Sequence, residues 1–99
     1  MITAKFKQWS CWVKLERYPA DNSIAIRLID ENDSSPIAIA TVCLIQHGLT
    51  PPEGHCYIKN YSENKGILDA LTEAGVVEPT GETVSFGYVE AHVCRVLID

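Results

Sequence analysis

A chain of 99 residues with 46% hydrophobic and 21% charged side chains has the composition of one small globular domain, which excludes a disordered chain and a multi-domain one. Its net charge of −5 argues against a nucleic-acid partner, because such binding depends on Lys and Arg meeting phosphates. No apolar run approaches the roughly 18–20 residues of a membrane span, and MITAKFKQWSCW lacks the apolar segment of a signal peptide, so a cytoplasmic protein with no membrane partner is expected.

Residues 4–17, AKFKQWSCWVKLER, alternate with period two. Trp9, Cys11, Val13 and Leu15 share one face, with Lys14 and Glu16 on the other, as in a half-buried strand. Lys5, Lys7, Lys14 and Arg17 place four cations on this strand, a pattern that keeps an edge solvated. After the turn YPADN, the stretch SIAIRLID puts Ile24, Ile26 and Leu28 on one face. ENDSSP follows as a second turn, rich in side chains that bond their own backbone. Residues 37–45, IAIATVCLI, are apolar on both faces, which predicts a central strand with room for a helix over Ala38 and Ala40. HGLTPPEGH reads as a loop and HCYIKN as a short fourth strand.

The next segment, YSENKGILDALTEAG, carries the signals of a helix over about 63–74. Ser62 is placed as its N-cap, and Ile67, Leu68, Leu71 and Ala74 form a single apolar stripe. Gly75 is placed for a left-handed C-cap, with Val76 folding back on Leu71. VVEPTGETVSF then predicts two short strands around a Pro-Thr-Gly turn. A final strand has Val89, Ala91, Val93 and Leu97 on one side and His92, Cys94 and Val96 on the other. The expected fold is α+β: one antiparallel sheet of five to six strands packed against one helix, in the order ββββ-α-ββ, as a single domain over 1–99. One helix cannot cover such a sheet on both faces, so the second face is lined by aromatic residues or buried against another copy, as in a homodimer.

The residues that could carry chemistry do not form a recognisable constellation. Cys11, Cys43, Cys56 and Cys94 sit in apolar strand contexts, as buried free thiols do. Cys43, His47, His55, Cys56, His92 and Cys94 lack metal-ligand spacing, so no metal and no cofactor is expected. A Cys–His nucleophile from Cys56 with His55, or Cys94 with His92, needs an electropositive setting that these strands lack. No catalytic residue is assigned and the chain is read as a non-enzyme. Charge is the remaining signal. Residues 1–59 carry six basic and six acidic side chains, whereas residues 60–99 carry two basic and seven acidic ones. Glu63, Asp69, Glu73, Glu78 and Glu82 are therefore the candidate interaction surface, suited to a basic protein partner.

YIKNYSENKGILDALTEAGVVEPTG, followed by GYVEAHVCRVL, resembles a family of small uncharacterised proteins carried on plasmids, conjugative elements and phages of gut bacteria. The resemblance runs from about Ile24 to Leu97. It is most specific at residues 61–64, at Ala74 with Gly75, and at the turn of Pro79, Thr80 and Gly81. It implies an accessory role for a mobile element and carries over no catalytic residue. The expected function is protein–protein interaction through the acidic surface, extending to inhibition of a host defence complex. The alternative is a small-molecule or nucleotide-binding module with a pocket at the helix–sheet or dimer interface.

Overall fold

A computed structural model of the chain describes residues 2–98. In chain order the strands are β1 (Thr3–Phe6), β2 (Trp9–Arg17), β3 (Ile24–Asp30), β4 (Pro36–Ile39) and β5 (His55–Ile58). The helix α1 (Ile67–Glu73) follows, then β6 (Val77–Phe86) and β7 (Val89–Val96). The α+β class holds, but the strands form two antiparallel sheets, β1-β2-β3-β4 and β5-β7-β6, in place of one. Five strands, not four, precede the helix. The extra one arises because residues 4–17 are two strands. Lys7 takes a left-handed φ of 55° and the two-residue loop Lys7–Gln8 reverses the chain, setting Phe6 opposite Trp9. The four N-terminal cations are thus shared between β1, its turn and β2. Period-two patterning continues across so short a loop, so it does not reveal the reversal. The opposite error occurs at residues 77–86, which form one strand. The expected Pro-Thr-Gly turn is a bulge: pairing with β7 shifts between Pro79 and Thr83. Thr80 Oγ1 donates to the Val93 carbonyl at 2.8 Å and Gly81 takes φ 89°, which absorbs the extra residues.

The apolar run at residues 37–45 is not a central strand. β4 lies at the edge of the four-stranded sheet, and beyond it the chain changes sheets. The Ala40 amide still donates to Ile26 of β3, at 2.8 Å. The Ala40 carbonyl has turned the other way and accepts from Lys59, beyond β5, at 2.9 Å. Thr41 then bridges to Ile58, and the Val42 amide donates to Tyr57 at 3.1 Å. The turn leaves the Ile26 amide without its strand partner, and Thr41 Oγ1 replaces it at 3.1 Å. Tyr18 Oη lies 3.0 Å from the same hydroxyl. The run is apolar on both sides because each part of it faces a different sheet.

Through this crossing the strand order runs continuously from β1 to β6, and α1 packs against both end strands. The main core lies inside this curl. Cys11, Ile26, Leu28, Ile58, Ile67 and Leu71 are among its buried members. β7 is covered on both faces, as its alternation predicts: Cys94 faces the main core, while Ala91 and Val93 join Leu44 and Tyr57 in a second cluster. The chain from Val42 to Leu49 therefore covers the outer face of the three-stranded sheet, a task the sequence reading gave to aromatic residues or a second copy.

The helix is shorter than expected and differently capped. Ser62 opens a 3-10 turn, Ser62–Asn64, at φ 53°, and its side chain caps nothing. α1 begins after Gly66, whose φ of 95° breaks the path between the two turns. Asn60 Oδ1 satisfies the start of the helix from outside it, accepting from the amides of Gly66 at 3.1 Å and Leu68 at 3.0 Å. Asn64, 3% exposed, donates through Nδ2 to the Ile39 carbonyl at 2.7 Å, tying this turn to β4. The C-terminal end follows expectation. Gly75 takes φ 74°, its amide donates to Thr72, and the Val76 amide donates to Leu71 at 3.0 Å, a complete Schellman motif with Leu71 and Val76 buried. Replacing Asn60 by Ala should cost about 1–2 kcal/mol in urea unfolding, as loss of a helix cap does. Ser62→Ala should cost less than about 0.5 kcal/mol, and a larger loss for Ser62 than for Asn60 would contradict this capping.

Candidate functional site

The thiols are set for packing. Cys11, Cys56 and Cys94 are buried and Cys43 is half-buried; all four are free. Cys56 and Cys94 stand opposite each other on β5 and β7. Burial pushes the Cys56 thiol up to about 12, with Cys94 adding to the effect, and burial pushes Cys94 up to about 11. At neutral pH both stay protonated and poorly nucleophilic. Among the described residues no histidine hydrogen-bonds a thiol, His92 included, although it lies two residues from Cys94 on β7. His55 adjoins Cys56 along β5, so the two point to opposite faces, and its Nδ1 lies 2.9 Å from the Glu53 carbonyl. His47 is exposed, with its ring 5.7 Å from that of Phe86. Among the described residues, no three His, Cys, Asp or Glu side chains converge as a metal site would require. Iodoacetamide at neutral pH should modify Cys43 well before the other three, read by peptide mass spectrometry. Native-state labelling of Cys56 or Cys94 as fast as Cys43 would contradict this packing.

The five acidic candidates are all exposed, but they do not form one row. Glu63 lies in the 3-10 turn, where its backbone carbonyl accepts from Lys7 Nζ at 2.7 Å. Asp69 sits in the first turn of α1, where the helix dipole favours it, and Glu73 in the last, where the dipole opposes it. Neither makes an ion pair among the described residues. Glu78 is different: Arg95 bonds its Oε1 through Nη2 at 3.0 Å. Alternation along β6 also turns Glu78 to the opposite sheet face from Val77, which packs in the core beside α1. Glu82 lies in the bulge.

Two further regions among the described residues are concave. One is a groove at the open end between the sheets. Its polar arm, about 540 Å³, is lined by Arg17, Asp21, Thr50, Glu53 and His55. Its apolar arm, about 500 Å³, is lined by Leu15, Ile24, Val96 and Ile98, and the two share Arg17, Ile24 and Gly54. Burial alone would raise the pKa of Asp21. Hydrogen bonds from the Ser23 hydroxyl and amide, helped by the nearby Cys43 thiol, outweigh it and hold the carboxyl below its usual range. Asp21 Oδ2 is the one buried side-chain polar atom without a partner of good geometry among the described residues.

The second region is the outer face of the four-stranded sheet, which neither α1 nor residues 42–49 cover. Trp12 stands opposite Ile29, and Lys14 opposite Arg27. One carboxylate, Glu16, serves both cations, at 3.9 Å from Lys14 and 3.2 Å from Arg27. On one side of this charged row, Trp12, Lys14, Ile29 and Ser34 form a cleft of about 270 Å³. On the other, a cleft of about 310 Å³ is lined by Tyr18, Pro19, Ala25 and Ile39, the last 44% exposed, together with the charged Glu16, Arg17 and Arg27. The sequence reading passed over Ile29 and Ile39. The signal was present for Ile29, because burying Ile24, Ile26 and Leu28 sends Ile29 outward. Ile39 gave none, because it lies in a run apolar on both faces. The chain matches no family model, no curated protein and no solved structure.

Proposed function

We propose that this chain is a binding module without chemistry of its own, acting by joining another protein through the outer face of its four-stranded sheet. The observation that carries this reading is the cross-strand pair Lys14 and Arg27, two like charges directly opposite each other beside the half-exposed pair Trp12 and Ile29. Like charges so placed oppose sheet pairing and are relieved here only by the shared Glu16 carboxylate, and the Trp12–Ile29 cleft beside them leaves apolar surface in water that folding does not use. Both costs are offset if a partner covers the face. In the setting implied by the family resemblance, such a module would be an accessory protein of a mobile element. The acidic surface formed by Glu63, Asp69 and Glu73 offers a separate contact for a basic partner, with Asp69 and Glu73 unpaired among the described residues.

The groove at the open end favours a second reading, a small-molecule module. Its arms fall within the ~300–1,000 Å³ range of ligand pockets and combine apolar walls with a few polar groups. Capture of partners from a bacterial host, with three forms of the protein, separates these readings. Ile29→Glu should lose the partner, while the triple variant Glu63→Lys, Asp69→Lys, Glu73→Lys should keep it, with circular dichroism confirming the fold of both. Partner lists identical for all forms would contradict a protein-binding role for either surface. A melting temperature raised by a small metabolite and not by a protein would favour the groove.

A further inference from the structure

Resting on the reading of the sheet face as a protein-binding surface, we infer that its occupant is an acidic segment of another protein with an apolar anchor beside its carboxylates. The face has three zones along β2 and β3. The Trp12–Ile29 cleft lies on one side, the charged row in the middle, and the cleft containing Ile39 on the other. The middle zone carries an excess of positive charge, because Lys14 and Arg27 share the single carboxylate of Glu16. Alternation along β1 puts Lys5 on the same face, since Ala4 and Phe6 point into the core. A carboxylate laid over Lys14 and Arg27 would complete a pairing that Glu16 leaves half made, and charge-assisted bonds to Arg are the strong ones. The Trp12–Ile29 cleft has the size and lining to seat one apolar side chain, as buried aliphatic or aromatic anchors do at interface centres, whereas the Ile39 cleft adds Arg17 and Arg27 to the positive charge available to a carboxylate.

The remaining charges fix where the acid must lie. Glu31 and Asp33 lie in the turn between β3 and β4, the same turn that contributes Ser34 to the Trp12 cleft. A carboxylate there would be repelled, so that cleft takes an uncharged anchor and the acidic residue belongs at the Lys14–Arg27 row. A second copy docked face to face with its two-fold axis through this row would set these cations against their own counterparts. Like-charge juxtaposition of that kind selects against a partner. The chain's net charge of −5 likewise opposes a polyanionic strand, even though Trp12 offers a ring on which a base could stack.

The test is titration of isotope-labelled protein by amide NMR with three probes. These are a short blocked peptide with leucines flanking a pair of glutamates, the same peptide with lysines for the glutamates, and oligodeoxythymidine. The glutamate peptide should shift the amides of Trp12, Lys14, Arg27, Ile29 and Ile39. Its binding should weaken by about tenfold or more in Lys14→Glu, with Lys14→Gln giving a smaller loss if the charge reversal disturbs the sheet. Binding of the lysine peptide at this face would overturn the acidic partner while leaving the face as a protein-binding surface. Preferential binding of oligodeoxythymidine would overturn both readings. The inference also fails if the glutamate peptide binds elsewhere, does not bind, or binds equally to the Lys14 variants.

Discussion

The architecture depends on the backbone at Ala40 and Thr41. At Ala40 the two polar groups of one residue serve two sheets: the amide stays with Ile26 of β3, and the carbonyl pairs with Lys59 beside β5. A strand that turns away in this fashion abandons a buried donor. Here the donor is the Ile26 amide, and the side chain of the next residue, Thr41, accepts from it at 3.1 Å. Ile26 is fully buried and Thr41 is 1% exposed, so water cannot take that place. An unmet amide in such a position costs about 1–3 kcal/mol. The hydroxyl therefore lets one strand join two sheets without leaving an unsatisfied group in the core.

Several other features follow from that join. Once β5 is fixed beside residues 40–42, β7 and β6 extend the strand order, and the curl brings β6 toward β1. The short helix α1 packs against both of these end strands, so its apolar stripe plugs the remaining opening. The polar ties around it reinforce the closure. Asn64 reaches the Ile39 carbonyl at the end of β4, Asn60 caps α1, and Lys7 reaches the Glu63 carbonyl from the β1–β2 turn. The same closure leaves the outer face of the four-stranded sheet as the broad uncovered surface, and it opens the groove beside Arg17 and Gly54.

Much of this was legible in the sequence, and the misses share a physical pattern. Side-chain alternation placed Ile24, Ile26 and Leu28, and both faces of β7, correctly, because each strand meets a buried layer. The Gly75 cap was legible because a left-handed φ followed by Val76 is a local requirement. The errors fell where tertiary bonds outweighed local preference. Ser62 looks like an N-cap, yet Asn60 performs that role across a turn. Pro79 to Gly81 looks like a reversal, yet Thr80 bonds the Val93 carbonyl and the strand continues. Residues 37–45 look like one central strand, because periodicity cannot show that two sheets share it. For the candidate surface, the exposed acidic positions were read correctly as exposed. Their grouping was not, since the pairing of Glu78 with Arg95 depends on β6–β7 register.

The most direct test of the account is urea unfolding of Thr41→Val beside Thr41→Ser. Valine keeps the shape but removes the acceptor, stranding the Ile26 amide and the Tyr18 hydroxyl, and should cost about 2–3 kcal/mol. Serine keeps the acceptor and loses one methyl group, so it should cost about 1 kcal/mol. A Thr41→Val protein as stable as the parent, or more stable than Thr41→Ser, would contradict the claim that this hydroxyl holds the two sheets together.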